Sequence, residues 1–182
     1  MTNNNILEIN YRSRVINDLI PYAEKDSRII LLVCDMGFGV CDNFKKSFPK
    51  RIYNVGVMEQ ATVGIAAGMA MDGLIPVVYS IVNFLVYRAL EQIRNDVVLQ
   101  NLNVKFIGTG ANNYFKFLGK SHCCDEDDKK IFDVIGLKVY DPYENNYQKL
   151  LKNSHQNKND DFDFHKLFTE WILNDVAAYI RV

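Results

Sequence analysis

Arg51-Ile-Tyr-Asn-Val-Gly-Val-Met-Glu-Gln-Ala-Thr-Val-Gly-Ile-Ala-Ala-Gly-Met-Ala70 places a short strand, one carboxylate and a helix of small residues in immediate succession. The spacing predicts a strand over Arg51 to Val55 and a helix from about Gln60 to Met71, built from Ala, Gly, Val, Ile and Met. Small side chains let backbones approach, so such a helix can pack on a sheet and on a neighbouring subunit. Glu59 stands where the apolar helix begins. Burying it ionised and unpaired would cost several kcal/mol, so it is expected to be protonated or hydrogen-bonded to a partner.

Outward from this stretch, strands alternate with helices. Residues 8 to 25 carry Tyr11, Val15, Leu19 and Ala23 at helical spacing. Ile29-Ile-Leu-Leu-Val-Cys34 is a continuous apolar run, as in a strand buried on both faces of a parallel sheet. Asp35-Met-Gly-Phe-Gly39 is the loop at its carboxyl end, where open α/β sheets place ligands. Gly73 ends the small-residue helix, and Ile75 to Ser80 returns to the sheet. A helix is expected over Leu85 to Leu99, then strands over Val104 to Gly108 and Lys138 to Tyr140. The alternation predicts an α/β fold, a doubly wound, mostly parallel sheet with helices on both faces.

Residues 1–150 read as one domain and 151–182 as a polar linker with a terminal amphipathic helix. Asn153 to Asp161 is polar and low in complexity. Phe164, Leu167, Phe168, Trp171, Ile172 and Val176 then form a stripe that would dock on this domain or on a partner.

A formal net charge of -1 over 182 residues gives no reason to expect nucleic acid or an anionic membrane as partner. No run approaches the length of a membrane-spanning helix, and Met-Thr-Asn-Asn-Asn lacks the pattern of a signal peptide. Cys34, Cys41, Cys123 and Cys124 are therefore expected as free thiols of a cytoplasmic protein. Adjacent Cys123 and Cys124 with His122 make a poor metal clip, so no metal site is expected on this chain.

Four ordered motifs now carry a resemblance. Asn54-Val-Gly-Val-Met-Glu-Gln60 resembles the NxGIxEQ signature of the pyrimidine-binding domain of transketolase-type thiamine diphosphate enzymes. Ala66 to Ser80 resembles their AAGxAxxGxxPVVYS run, and Phe84 to Asp96 their FLxxRAxEQIRND segment. Asn103 to Gly108 and Gly119-Lys-Ser-His-Cys-Cys-Asp-Glu-Asp127 resemble the strand and His-bearing loop beyond it. The similarity covers roughly residues 10 to 145.

The resemblance implies roles for single residues. Glu59 would hydrogen-bond a ring nitrogen of the cofactor's aminopyrimidine and support the tautomer that generates the reactive carbanion. The plainer reading is a buried carboxylate held by backbone amides. Phe84 would stack on the pyrimidine ring, with Tyr87 as a weaker alternative, or belong to ordinary core. Asp35 lies where the family often carries an acidic residue near the site entrance. His122 would face substrate, with Asp127 orienting its loop; a structural histidine is the alternative. Arg88 would meet a substrate phosphate or bridge subunits, and Arg94 would form a structural ion pair.

Enzymes of this kind also need a domain binding diphosphate and Mg2+, marked by Gly-Asp-Gly, and no Gly-Asp-Gly occurs here. The third domain of transketolases is not expected on this chain either. The resemblance thus implies the pyrimidine-binding subunit of a split, transketolase-like transferase. Its thiamine diphosphate would be shared with a diphosphate-binding partner that holds Mg2+, in a hetero-oligomer or a dimer of pyrimidine-binding domains. The reaction would move a two-carbon ketol or acyl unit between small sugar-like or keto substrates. The alternative is a non-catalytic interaction or regulatory protein that kept the fold.

Overall fold

The computed structural model describes residues 11–143 and 160–182, with side chains described from 164 onward in the second stretch. Most of the expected Asn153 to Asp161 linker lies outside the described residues. Six parallel strands form one sheet in the order β2-β1-β3-β4-β6-β5. They are β1 (Ile29–Val33), β2 (Ile52–Asn54), β3 (Ile75–Ile81), β4 (Lys105–Thr109), β5 (Lys138–Tyr140) and β6 (Ala178–Arg181).

Two-residue alternation divides the core between the faces of this sheet. Ile29, Leu31 and Val33 face one layer with Val77 and Tyr79 of β3; Ile30, Leu32 and Val78 face the other. The first layer is covered by α1 (Tyr11–Lys25), α2 (Asp42–Ser47) and α7 (Asp160–Leu173). The second is covered by α3 (Glu59–Met71), α4 (Val82–Arg88), the segment that continues it and α6 (Asp127–Val134). In α3 the buried residues are Glu59, Thr62, Val63, Ala66 and Ala67, one face of a helix turned to the sheet. Its other face carries Gly64, Gly68 and the exposed Ile65 and Met71. Gly73, at φ +86, turns the chain from α3 into β3.

The helix expected over Leu85 to Leu99 differs in form. It begins at Val82, straight after β3, and breaks at Ala89, whose φ is -115 and ψ 11. After a short helical turn, α5 (Leu90–Gln92), Ile93–Val98 forms a π-helix. Ala89, Ile93 and Val97 are all fully buried. Residues four apart share one helical face, and these three turn that face to the sheet.

The chain after residue 160 holds a strand that the sequence expectation lacked. Phe164, Phe168, Trp171 and Ile172 of α7 are buried in this domain's own core, and the helix stops at Leu173. β6 then enters the sheet between β4 and β5. Its Arg181 is completely buried, with Nε 2.9 Å from Asp128 Oδ2 and Nη1 2.9 Å from Asp141 Oδ2. Tyr179 donates its hydroxyl to Asp128 Oδ2 at 2.7 Å. Burial pushes the Asp128 carboxyl up, and Arg181 and Tyr179 pull it the other way. A buried charge is tolerable only when paired and hydrogen-bonded, which is what this cluster supplies.

Candidate active site at the carboxyl ends of the strands

Strand ends in a parallel sheet collect sites, and here the segments after β1, β2, β3 and β4 meet at one rim. Asn54, the last residue of β2, braces two of them. Its Oδ1 accepts the Asp35 and Gly56 amides, each at 3.0 Å, and its Nδ2 lies 3.3 Å from Asp35 Oδ1. Asp35 is exposed and left-handed, at φ 48. Its amide and carboxylate are thus both tied to the loop that delivers Glu59.

Glu59 is the first residue of α3, where a helix favours negative charge, and its exposure is 0%. Ser80 donates its hydroxyl to Oε1 at 3.0 Å, and Arg88 donates Nη1 to Oε2 at 2.5 Å. The expectation of a hydrogen-bonded carboxyl agrees with this geometry. Its partners are two side chains rather than backbone amides.

The seven residues of α4 carry the rest of the site. Arg88 also sits over the Phe84 ring, with Cζ 4.3 Å from the centroid. Phe84 in turn meets His122 edge to face, at 5.2 Å between centroids and 67°. Asn83 donates Nδ2 to the Ser121 carbonyl at 2.5 Å, and the Ser121 hydroxyl lies 3.0 Å from His122 Nδ1. Tyr87 donates to Asp127 Oδ2 at 2.9 Å, a bond that holds its phenol up at about 12. The loop bearing His122 is also held from below, because Arg181 Nη2 donates to the Asp125 carbonyl at 3.1 Å.

Glu59, Phe84, Arg88 and His122 are therefore one connected group. Tyr87 and Asp127 pair with each other at its edge. Asp35 stands apart from Glu59 in direct contacts and reaches that loop through Asn54. Arg88 has its guanidinium on Glu59 and Phe84. Arg94, expected in an ion pair, donates instead to the neighbouring Asn95 Oδ1 at 2.7 Å. Sequence reasoning passed over Ser80, Asn83 and Asn54. Their signal was position, since each lies at or next to the carboxyl end of a strand.

Among the described residues, no group of three or more His, Cys, Asp or Glu could hold a metal ion. None of the described helices is long and apolar enough to cross a membrane. Burial pushes the Cys124 thiol up to about 11 and Cys41 up to about 12. Both are expected as thiols rather than thiolates near neutral pH.

The family described as "Transketolase, pyrimidine binding domain" matches residues 8–161. A 6-deoxy-6-sulfo-D-fructose transketolase subunit of Clostridium sp. (strain MSTE9) is 33% identical over 132 residues, covering 72% of this chain and 41% of that protein. One subunit of an apulose-4-phosphate transketolase, from Actinobacillus succinogenes, is 40% identical over 84 residues, covering 46% of this chain and 27% of its own. This chain thus spans less than half the length of either relative. A solved split-gene transketolase, described as an inactive beta4 tetramer, superimposes with a TM-score of 0.72 at 26% identity. That alignment covers 93% of this chain and 49% of the solved one. Transketolase from Campylobacter jejuni shares the fold at a TM-score of 0.68 and 15% identity, over 94% of this chain and 26% of its own.

Proposed function

This chain belongs to the family of transketolase pyrimidine-binding domains, and from that premise we propose that it forms the pyrimidine side of a thiamine diphosphate site. The observation that carries the reading is Glu59: a fully buried carboxylate at a helix N-terminus, held by Ser80 and Arg88 at the rim of the sheet. The chemistry of this donor set fits an aminopyrimidine, with a carboxyl for a ring nitrogen and the Phe84 ring for its face.

When bound in such a site, thiamine diphosphate would supply the nucleophilic chemistry for moving a two-carbon ketol or acyl unit. Glu59 holds the ring nitrogen and exchanges a proton with it, while Ser80 fixes the carboxyl plane. Phe84 bounds the pyrimidine face. Tyr87 and Asp35 line the approach, and Tyr87 keeps Asp127 in place. His122 faces the substrate and handles its hydroxyl protons, in a loop that Asn83 and Asp127 keep in register. Arg88 is placed to meet an anionic substrate group once it is drawn off Glu59.

Diphosphate and Mg2+ are assigned to a partner subunit. Relatives described as separate transketolase subunits support that division. The active species would then be a hetero-oligomer. A second reading, a non-catalytic assembly of this chain with itself, draws on the solved relative described as an inactive tetramer.

Calorimetry separates the two. The purified chain is expected to bind thiamine diphosphate with Mg2+ weakly, and to bind it tightly once a diphosphate-binding subunit is added. Tight Mg2+-dependent binding by the chain alone would sink the split-site reading.

A further inference from the structure

We propose that Arg88 is a positioning residue that closes Glu59 in the free chain, yields it to an aminopyrimidine nitrogen, and passes that change to His122 through Phe84. This rests on the aminopyrimidine reading of the site. Glu59 has two oxygens and both are taken: Oε1 by the buried Ser80, Oε2 by Arg88. The two contacts differ in kind. The Glu59 side chain is 1% exposed, whereas that of Arg88 is 38% exposed, so Arg88 covers the carboxylate from the solvent side. An oxygen that accepts from a guanidinium at 2.5 Å is not in position to offer a proton to a ring nitrogen.

Arg88 has somewhere to go. It is the last residue of α4, beside the break at Ala89. An open cavity of about 470 Å³ adjoins it, lined also by Gln60, Glu91 and Asn95. Glu91 there offers a second carboxylate to a withdrawn guanidinium. Leaving Glu59 also means leaving the Phe84 ring, over which Arg88 now lies. Phe84 also meets His122 edge to face, so the ring loses one neighbour and repacks against the histidine. The carboxylate on the cofactor side and the imidazole on the substrate side are thereby coupled through one short helix.

The test uses the full chain, labelled with 15N and 13C, and the probe 4-amino-5-hydroxymethyl-2-methylpyrimidine. In the wild type, adding the probe is expected to move the Arg88 side-chain N–H signal and the His122 ring signals with one shared midpoint. Arg88→Met removes the competing contact and is expected to tighten probe binding by about three- to tenfold. Its His122 signals should no longer follow the probe. Arg88→Lys keeps a cation for Glu59 but no flat guanidinium for Phe84. Probe affinity should stay near wild type while the His122 response is lost.

Unchanged affinity in Arg88→Met would overturn the closing role while leaving the aminopyrimidine site standing. A full His122 response in both variants would overturn the coupling. No saturable binding of the probe to folded Arg88→Met would overturn this inference, and tight cofactor binding still absent with a diphosphate-binding subunit added would remove the aminopyrimidine reading as well.

Discussion

The Tyr179 hydroxyl oxygen stands 2.5 Å from the point where a Cβ on Gly108 would sit. Only a glycine in β4 lets the phenol lie across the strand and reach Asp128. Gly108→Ala should push the ring aside and cost about 1–3 kcal/mol, the usual range for overpacking a filled core. Urea unfolding reads this as a lower midpoint at unchanged slope. An unaltered midpoint would mean that the ring is not confined there.

Arg181→Met should cost more. It leaves Asp128, 0% exposed, and the nearly buried Asp141 without the guanidinium that both contact. Stranding a buried charge typically costs about 3–5 kcal/mol. The double variant Arg181→Met with Asp128→Asn should recover part of the loss, because the two changes share one network. Strictly additive losses in denaturant titration would argue that the cluster is not coupled.

Glu59→Gln is isosteric and keeps the Ser80 contact, so the fold should survive with a modest loss of stability. In a complex reconstituted with a diphosphate-binding subunit, turnover should fall by about 100- to 10,000-fold. Deuterium exchange at the thiazolium carbon should slow in parallel. His122→Ala should leave that exchange closer to wild type while impairing product formation. Wild-type rates for Glu59→Gln in both assays would favour the non-catalytic reading.

Alkaline pH should destabilise the chain through Cys41. Burial raises this thiol from 9.0 to about 12 in the folded state. Between those values the unfolded chain releases a proton that the folded chain keeps. The contribution to stability is therefore full below about 9 and lost as pH rises toward 12. Urea midpoints measured from pH 8 upward should fall more steeply in the wild type than in Cys41→Ala. Parallel slopes would show that the thiol is not responsible.

The sequence exposed the site in unequal measure. Glu59 was legible because a lone carboxylate at the head of so apolar a helix has few tolerable environments. β1 was legible as an unbroken apolar run. Arg88 as the partner of Glu59 was not, since 29 residues separate them and no local pattern encodes the approach. β6 was hidden for a related reason. Ala178-Tyr-Ile-Arg-Val182 contains an arginine, which locally signals solvent. Its burial becomes acceptable only through Asp128 and Asp141, 53 and 40 residues away.

The position of β6 bears on how the molecule reaches this state. Residues 105 to 108 pair on one side with residues 77 to 80 but on the other with residues 178 to 181. Two adjacent lines of the sheet are thus about seventy positions apart along the chain, and β5 joins only through the strand between them. Closing so long a loop delays the reward of pairing and slows folding. Until it closes, β4 has an unpaired edge of the kind that invites association with other chains. While residues 178 to 181 remain unpaired that edge stays open, so chaperone shielding is expected to aid the folding of this domain.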